Sequence, residues 1–175
     1  MESVLTKLPK DFTGAILVVQ HMPKGFTRSL AERFNRLCSV EVSEAKEDDP
    51  ILPGKVYIAP SGYHMGLDMA DDKMVISLTR GTRKDRHCPS VDEMMKSVAR
   101  AWHRPLLGII MTGMGSDGTR GIGYIKQRGG TVIAQDEDTC VVYGMPRSAY
   151  LSGNVDRLVP LRKLAGEINN FVTWS

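Results

Sequence analysis

The chain has 175 residues, 42% hydrophobic and 25% charged, which is one ordinary folded domain, able to bury roughly 70% of its unfolded surface without a disulfide or metal staple. Its formal charge of +3 is spread along the chain and aromatics make up only 6%, which excludes a nucleic-acid surface built on base stacking. Cys38, Cys88 and Cys140 are odd in number with no CxxC pair, excluding a disulfide framework and a zinc site, and no apolar run approaches the roughly 20 residues of a membrane span.

A cytoplasmic protein is therefore expected, with no metal, no cofactor, no nucleic-acid partner and no membrane insertion. The first apolar run, Ala15 to Val19, is too short for a signal peptide. Gly14 to Gln20 reads as a strand buried on both faces. Thr27 to Leu37 carries Leu30, Phe34 and Leu37 at helical spacing, with Thr27 as the expected N-cap. Val40 to Ala45 and Val56 to Ala59 are short strands around an acidic loop, Lys46 to Gly54. His64 to Met69 and Lys73 to Leu78 form a predicted hairpin about Ala70-Asp71-Asp72.

The basic run Arg80 to Arg86 reads either as a solvated loop or as contact for an anionic partner. Pro89 to Glu93 opens a helix, with Ser90 and Glu93 at capping-box spacing and Val91, Met94, Met95, Val98 and Trp102 on one face. A second buried strand, Leu106 to Met111, runs into a glycine-rich turn. Thr119 to Arg128 is helical, Thr131 to Ala134 a strand, and Pro146 starts a helix reaching Leu151. Arg157 to Val159 and a helix over Leu161 to Phe171 close the chain. Strands alternating with helices predict an α/β fold: a doubly wound, mainly parallel sheet, helices on both faces, one antiparallel hairpin.

Sites in such folds lie beyond the carboxyl ends of the strands. Two candidates stand there: His21, just after the first strand, and Asp117, in the turn after Met111. An imidazole and a carboxylate together are what general-base chemistry needs, the carboxylate fixing the tautomer while the other ring nitrogen takes a proton. Gly113-Met114-Gly115-Ser116-Asp117-Gly118 offers backbone N–H groups for an oxyanion hole. Equally, Gly113, Gly115 and Gly118 match the dinucleotide fingerprint, with Asp136 and Asp138 about 20 residues on. His64, His87 and His103 have no ligand spacing, and adjacent His87 and Cys88 do not aim at one ion.

Five segments, in order and at matching separations, resemble the chemotaxis protein-glutamate methylesterase family, CheB. They are Val19-Gln20-His21-Met22-Pro23-Lys24-Gly25-Phe26-Thr27, Leu52-Pro53-Gly54-Lys55-Val56-Tyr57-Ile58-Ala59-Pro60 and Arg86-His87-Cys88-Pro89-Ser90-Val91-Asp92. The others are Met111-Thr112-Gly113-Met114-Gly115-Ser116-Asp117-Gly118 and Thr139-Cys140-Val141-Val142-Tyr143-Gly144-Met145-Pro146. The resemblance implies a serine hydrolase that demethylates glutamates, and deamidates certain glutamines, on methyl-accepting chemotaxis receptors. It gives His21 and Asp117 the roles of catalytic histidine and aspartate. Met114 matches an active-site lining residue whose amide is the oxyanion-hole candidate, with Gly113 beside it.

The family's nucleophilic serine lies in a Gly-Ala-Ser-Thr-Gly-Gly-like turn between the first strand and first helix. Met1 to Pro9 here matches that helix, so no residue of the chain is the nucleophile, and Ser3, Ser61 and Ser116 do not take its place. The expectation is a single methylesterase domain over residues 1–175, incomplete at its start and without a receiver domain. Two alternatives stand beside it: an inactive receptor-binding or regulatory module of the same fold, and a nucleotide-binding domain using Gly113 to Gly118.

Overall fold

The computed structural model describes residues 1–173, and the chain divides into two compact units, Met1–Ser90 and Val91 onward. The first unit contains α1 (Glu2–Leu5), β1 (Ile16–Val18), α2 (Phe26–Leu37), β2 (Glu41–Glu44), β3 (Lys55–Ile58), β4 (Tyr63–Ala70) and β5 (Lys73–Arg80). Strands β1, β3 and β2 pair in that order, all parallel, with Val18 and Glu44 both opposite Ile58. The chain therefore leaves β1 and β3 at one edge, where His21 and Ser61 follow. Central β3 is the most buried stretch, Val56 to Ala59 having no accessible surface.

Two expectations for this unit change. The strand read as buried on both faces shrinks to Ile16–Val18, and its three residues are only half-buried, because β1 pairs through β3 alone among the described residues. Thr27 is not the cap of α2. Gly25, in the left-handed region at φ 90°, occupies the N-cap, and the Thr27 hydroxyl donates to Glu44 Oε1 at 2.6 Å instead. The hairpin forms with its register centred on Asp71 and Asp72, both at positive φ, as a two-residue turn demands. The acidic loop lies along it: Asp48 N–H donates to Ile76 O, Ile76 N–H to Asp49 O, and Ile51 N–H to Met74 O.

The second unit contains α3 (Val91–Ala101), β6 (Leu107–Ile110), α4 (Thr119–Gln127), β7 (Thr131–Gln135), α5 (Met145–Leu151), β8 (Arg157–Val159), a 3₁₀ turn over Leu161–Lys163 and α6 (Leu164–Thr173). The predicted last helix thus begins as a 3₁₀ turn after Pro160. Strands β6, β7 and β8 pair in that order, again all parallel. Central β7 is the buried one, with Val132, Ile133 and Ala134 at 1% exposure or less. Val132 and Ile133, taken fully from water, each stabilise the unit by about 1.5–3 kcal/mol. The architecture is mixed α/β with two parallel sheets, flanking helices and one antiparallel hairpin. No helix of the described residues is long and apolar enough to cross a membrane.

Candidate active site

His21 lies three residues beyond β1 and is exposed. Its imidazole packs on that of His87, ring centroids 4.8 Å apart and planes tilted by 33°. The loop carrying His21 is tied to the sheet edge by hydroxyls. Ser61 N–H donates to Thr27 Oγ1 at 3.2 Å, and Ser61 Oγ donates to Met22 O at 3.5 Å. Ser61 is thus a loop clasp. His87 sits in a loop organised by Asp85, whose carboxylate accepts from Thr82 N–H and hydroxyl and lies 3.4 Å from His64 Nε2. Those donors, Thr82 N–H first, hold the Asp85 carboxyl below its ordinary range. The basic run Arg80 to Arg86 is solvent-facing around Gly81.

In the second unit the turn after β6 is fastened on several sides. Buried Gln135 at the end of β7 accepts Thr112 N–H at 3.0 Å on Oε1 and donates through Nε2 to Thr139 O at 2.7 Å. Thr112 Oγ1 accepts from Val142 N–H and donates to Val142 O, while Gly113 N–H donates to the same carbonyl at 3.0 Å. Gly113 O in turn accepts from Gly144 and Met145 N–H at 3.2 and 2.8 Å. The segment after β7 is therefore zipped onto the glycine turn. Of the two neighbouring amides, Gly113's is already bonded and the one left over is that of Met114. Its N–H takes no partner among the described residues, and the residue is 84% exposed at the lip of the turn.

Asp117 is buried at 7% exposure. Its Oδ2 accepts Val91 N–H at 2.8 Å and its Oδ1 accepts Asp92 N–H at 3.0 Å, both from the first turn of α3. Both carboxylate oxygens are thereby satisfied by amides at a helix N-terminus. Asp92 was not singled out by the sequence, where it passes for a first-turn acid. It is 8% exposed, its Oδ1 accepts Gly118 N–H at 2.9 Å and Gly121 N–H at 2.7 Å, and its Oδ2 accepts Arg120 Nε at 3.0 Å.

That arrangement counts against the nucleotide reading. A pyrophosphate on a Gly-x-Gly-x-x-Gly turn needs the N–H groups opening the next helix. At α4 the amides of Gly118 and Gly121 are committed to an internal carboxylate. Asp136, one of the two acids at ribose distance in sequence, accepts instead from the Thr139 amide and hydroxyl.

The family model described as CheB methylesterase matches residues 1–168. The chain belongs to the CheB methylesterase family. It is 47% identical to a protein-glutamate methylesterase/protein-glutamine glutaminase 2 of Dechloromonas aromatica, over 96% of this chain and 46% of that protein. It is 44% identical to a protein-glutamate methylesterase/protein-glutamine glutaminase of Pyrococcus abyssi, over 92% of this chain and 44% of the relative. This CheB chain thus spans about half the length of the curated relatives it matches. Among solved structures it is similar to the Thermotoga maritima CheB methylesterase catalytic domain, with a TM-score of 0.92 and 39% identity, covering 97% of this chain and 89% of that one.

Proposed function

We propose that this chain supplies most of the catalytic apparatus of a cytoplasmic protein-glutamate methylesterase and protein-glutamine deamidase acting on methyl-accepting chemotaxis receptors. His21 is the general base and Asp117 the carboxylate that stabilises its imidazolium. The Met114 N–H donates to the oxyanion, with Gly113 shaping the turn behind it. The nucleophile of this mechanism is a serine, and it is none of residues 1–175. Its hydroxyl, deprotonated by His21, attacks the glutamyl ester carbonyl; the tetrahedral oxyanion collapses, and methanol leaves with the proton returned by His21. Water, activated by the same imidazole, cleaves the acyl-serine to the glutamate carboxylate. With a glutamine side chain the leaving group is ammonia.

What supports the reading above all is the CheB family match, which runs through the segments holding His21, Met114 and Asp117. The buried Asp117 with its two amide bonds and the exposed Met114, whose amide takes no partner among the described residues, suit those roles. The test is methanol release from a methylated receptor fragment, using residues 1–175 preceded by a serine-bearing strand and turn of a relative. His21→Ala and Asp117→Asn are expected to lower kcat by about 10⁴-fold or more. Undiminished turnover in either variant refutes the assignment. Receptor binding without methanol release from the serine-supplied polypeptide would instead point to a regulatory module.

A further inference from the structure

Each of the two buried aspartates is carried at the start of one helix and accepts the first-turn amides of the other. Asp117, just before α4, takes the N–H groups of Val91 and Asp92 that open α3. Asp92, in the first turn of α3, takes those of Gly118 and Gly121 that open α4. The close approach depends on glycine: a Cβ at Gly121 would lie 2.9 Å from Met95 Cβ and 3.1 Å from Asp92 Cα. A Cβ at Gly118, whose φ is 97°, would lie 2.6 Å from Ile110 Cδ1 and 2.9 Å from Val91 Cγ1.

We propose that Asp92 is a positioning residue of the esterase centre, holding Asp117 and its turn in place through Gly118 and Gly121; this rests on the catalytic role given to Asp117 above. A buried carboxylate is tolerated only with partners, and Asp92 has two helix-terminal amides and the Arg120 guanidinium. Asp117 is bonded through its backbone to Gly118, so the Asp92–Gly118 bond fixes the turn one residue from the catalytic carboxylate. The reverse bond, Asp92 N–H to Asp117 Oδ1, sets that carboxylate's direction. Removing the Asp92 side chain strands two amides at the head of α4 and lets the turn move, without touching the substrate-facing lip at Met114. A displacement of about 1 Å in a catalytic group costs on the order of 10²-fold in rate.

The experiment compares Asp92→Ala, Asp92→Asn and Asp117→Asn in the serine-supplied polypeptide, with working sites counted by a serine-directed fluorophosphonate. Asp92→Ala is expected to lower kcat per working site by about 10²-fold with KM within a few-fold, because uniform substrate binding is untouched. Asp92→Asn keeps an oxygen acceptor for Gly118 and Gly121 and is expected to restore kcat to within about threefold of the parent. In residues 1–175 alone, hydrogen exchange at the Gly118 and Gly121 amides is expected to accelerate in the Ala variant and not in the Asn variant. Loss of folded protein with unchanged kcat per working site would make Asp92 merely structural and overturn the proposal. So would a 10²-fold loss in a folded Asp92→Asn, which carries the test should the Ala variant not fold. Full activity of Asp117→Asn would signal failure of the underlying site assignment instead.

Discussion

Gly144→Ala tests whether the segment after β7 clamps the glycine turn. Gly144 has φ −89° and ψ −67°, a right-handed conformation that alanine adopts without strain, so any cost is steric. The added Cβ would lie 2.7 Å from Gly113 O, 3.0 Å from Gly115 N and 3.2 Å from Met114 Cα, all backbone atoms of the turn. Relief requires a shift of roughly 0.5 Å or more. That shift strains the bonds that Gly113 O accepts from Gly144 and Met145 N–H, each worth about 1 kcal/mol, on top of an overpacking cost of about 1–3 kcal/mol. Against this, alanine gains about 0.4–1 kcal/mol through the unfolded chain. The net expectation is destabilisation by about 1–3 kcal/mol, or about 2–12 °C for a chain of this size. Urea and thermal unfolding measure it, and amide NMR shifts at Gly113 to Gly115 report the displacement. Gly123→Ala is the control. Its Cβ meets only Asn154 Nδ2, at 3.8 Å, within α4, so stabilisation by about 0.5–1 kcal/mol is expected. A Gly144→Ala protein as stable as its parent, with the Gly113 to Gly115 resonances unmoved, would refute the clamp.

Two further expectations follow from titrating groups. Asp156 receives Lys126 Nζ at 2.6 Å and Val132 N–H at 2.7 Å, and these, the lysine first, hold its carboxyl below the ordinary value. A depressed folded value means the contribution is present above the unfolded pKa of about 3.9 and disappears as pH falls through the folded one. Urea unfolding of Asp156→Asn should therefore lag the parent between pH 5 and 8, by no more than about 1 kcal/mol for this partly exposed pair, and the gap should close in acid; a gap persisting at pH 2 contradicts it. Burial pushes the thiols of Cys38, Cys88 and Cys140 up, so little thiolate exists at neutral pH. Ellman's reagent at pH 7.4 is expected to react with the folded chain more slowly than with glutathione, and rapid labelling of one thiol would mark a reactive cysteine this structure does not support.

Much of the fold was legible because its signals are local. The run Val56 to Ala59 marked a short strand, which the structure places at the buried centre of its sheet, and Ala70-Asp71-Asp72 marked the hairpin turn. The parallel alternation followed from helix and strand periods in succession. Failures came where a residue's partner is distant in sequence. Thr27 has the chemistry of an N-cap, yet its hydroxyl goes to Glu44, and Gly25 takes the cap because it tolerates the left-handed backbone there. The Gly14 to Gln20 run promised burial on both faces from composition alone, whereas burial depends on how many strands flank it.

The candidate site divides along the same line. Sequence position placed His21 and Asp117 at strand ends and Met114 within a turn, but could not say which amides of that turn are already bonded. The structure answers with sequence-distant bonds: Val142 takes Gly113 N–H, Gln135 takes Thr112 N–H, and Asp92 takes Gly118 N–H. These act on both ends of the same turn, leaving the exposed Met114 between them. In the role proposed for it above, a donor held this way needs little reorganisation when charge develops on a bound carbonyl oxygen, which is the condition under which a backbone amide contributes most to catalysis. Gly113 and Gly118 therefore anchor the turn at its two ends, and Met114, next to Gly113, is its most exposed residue.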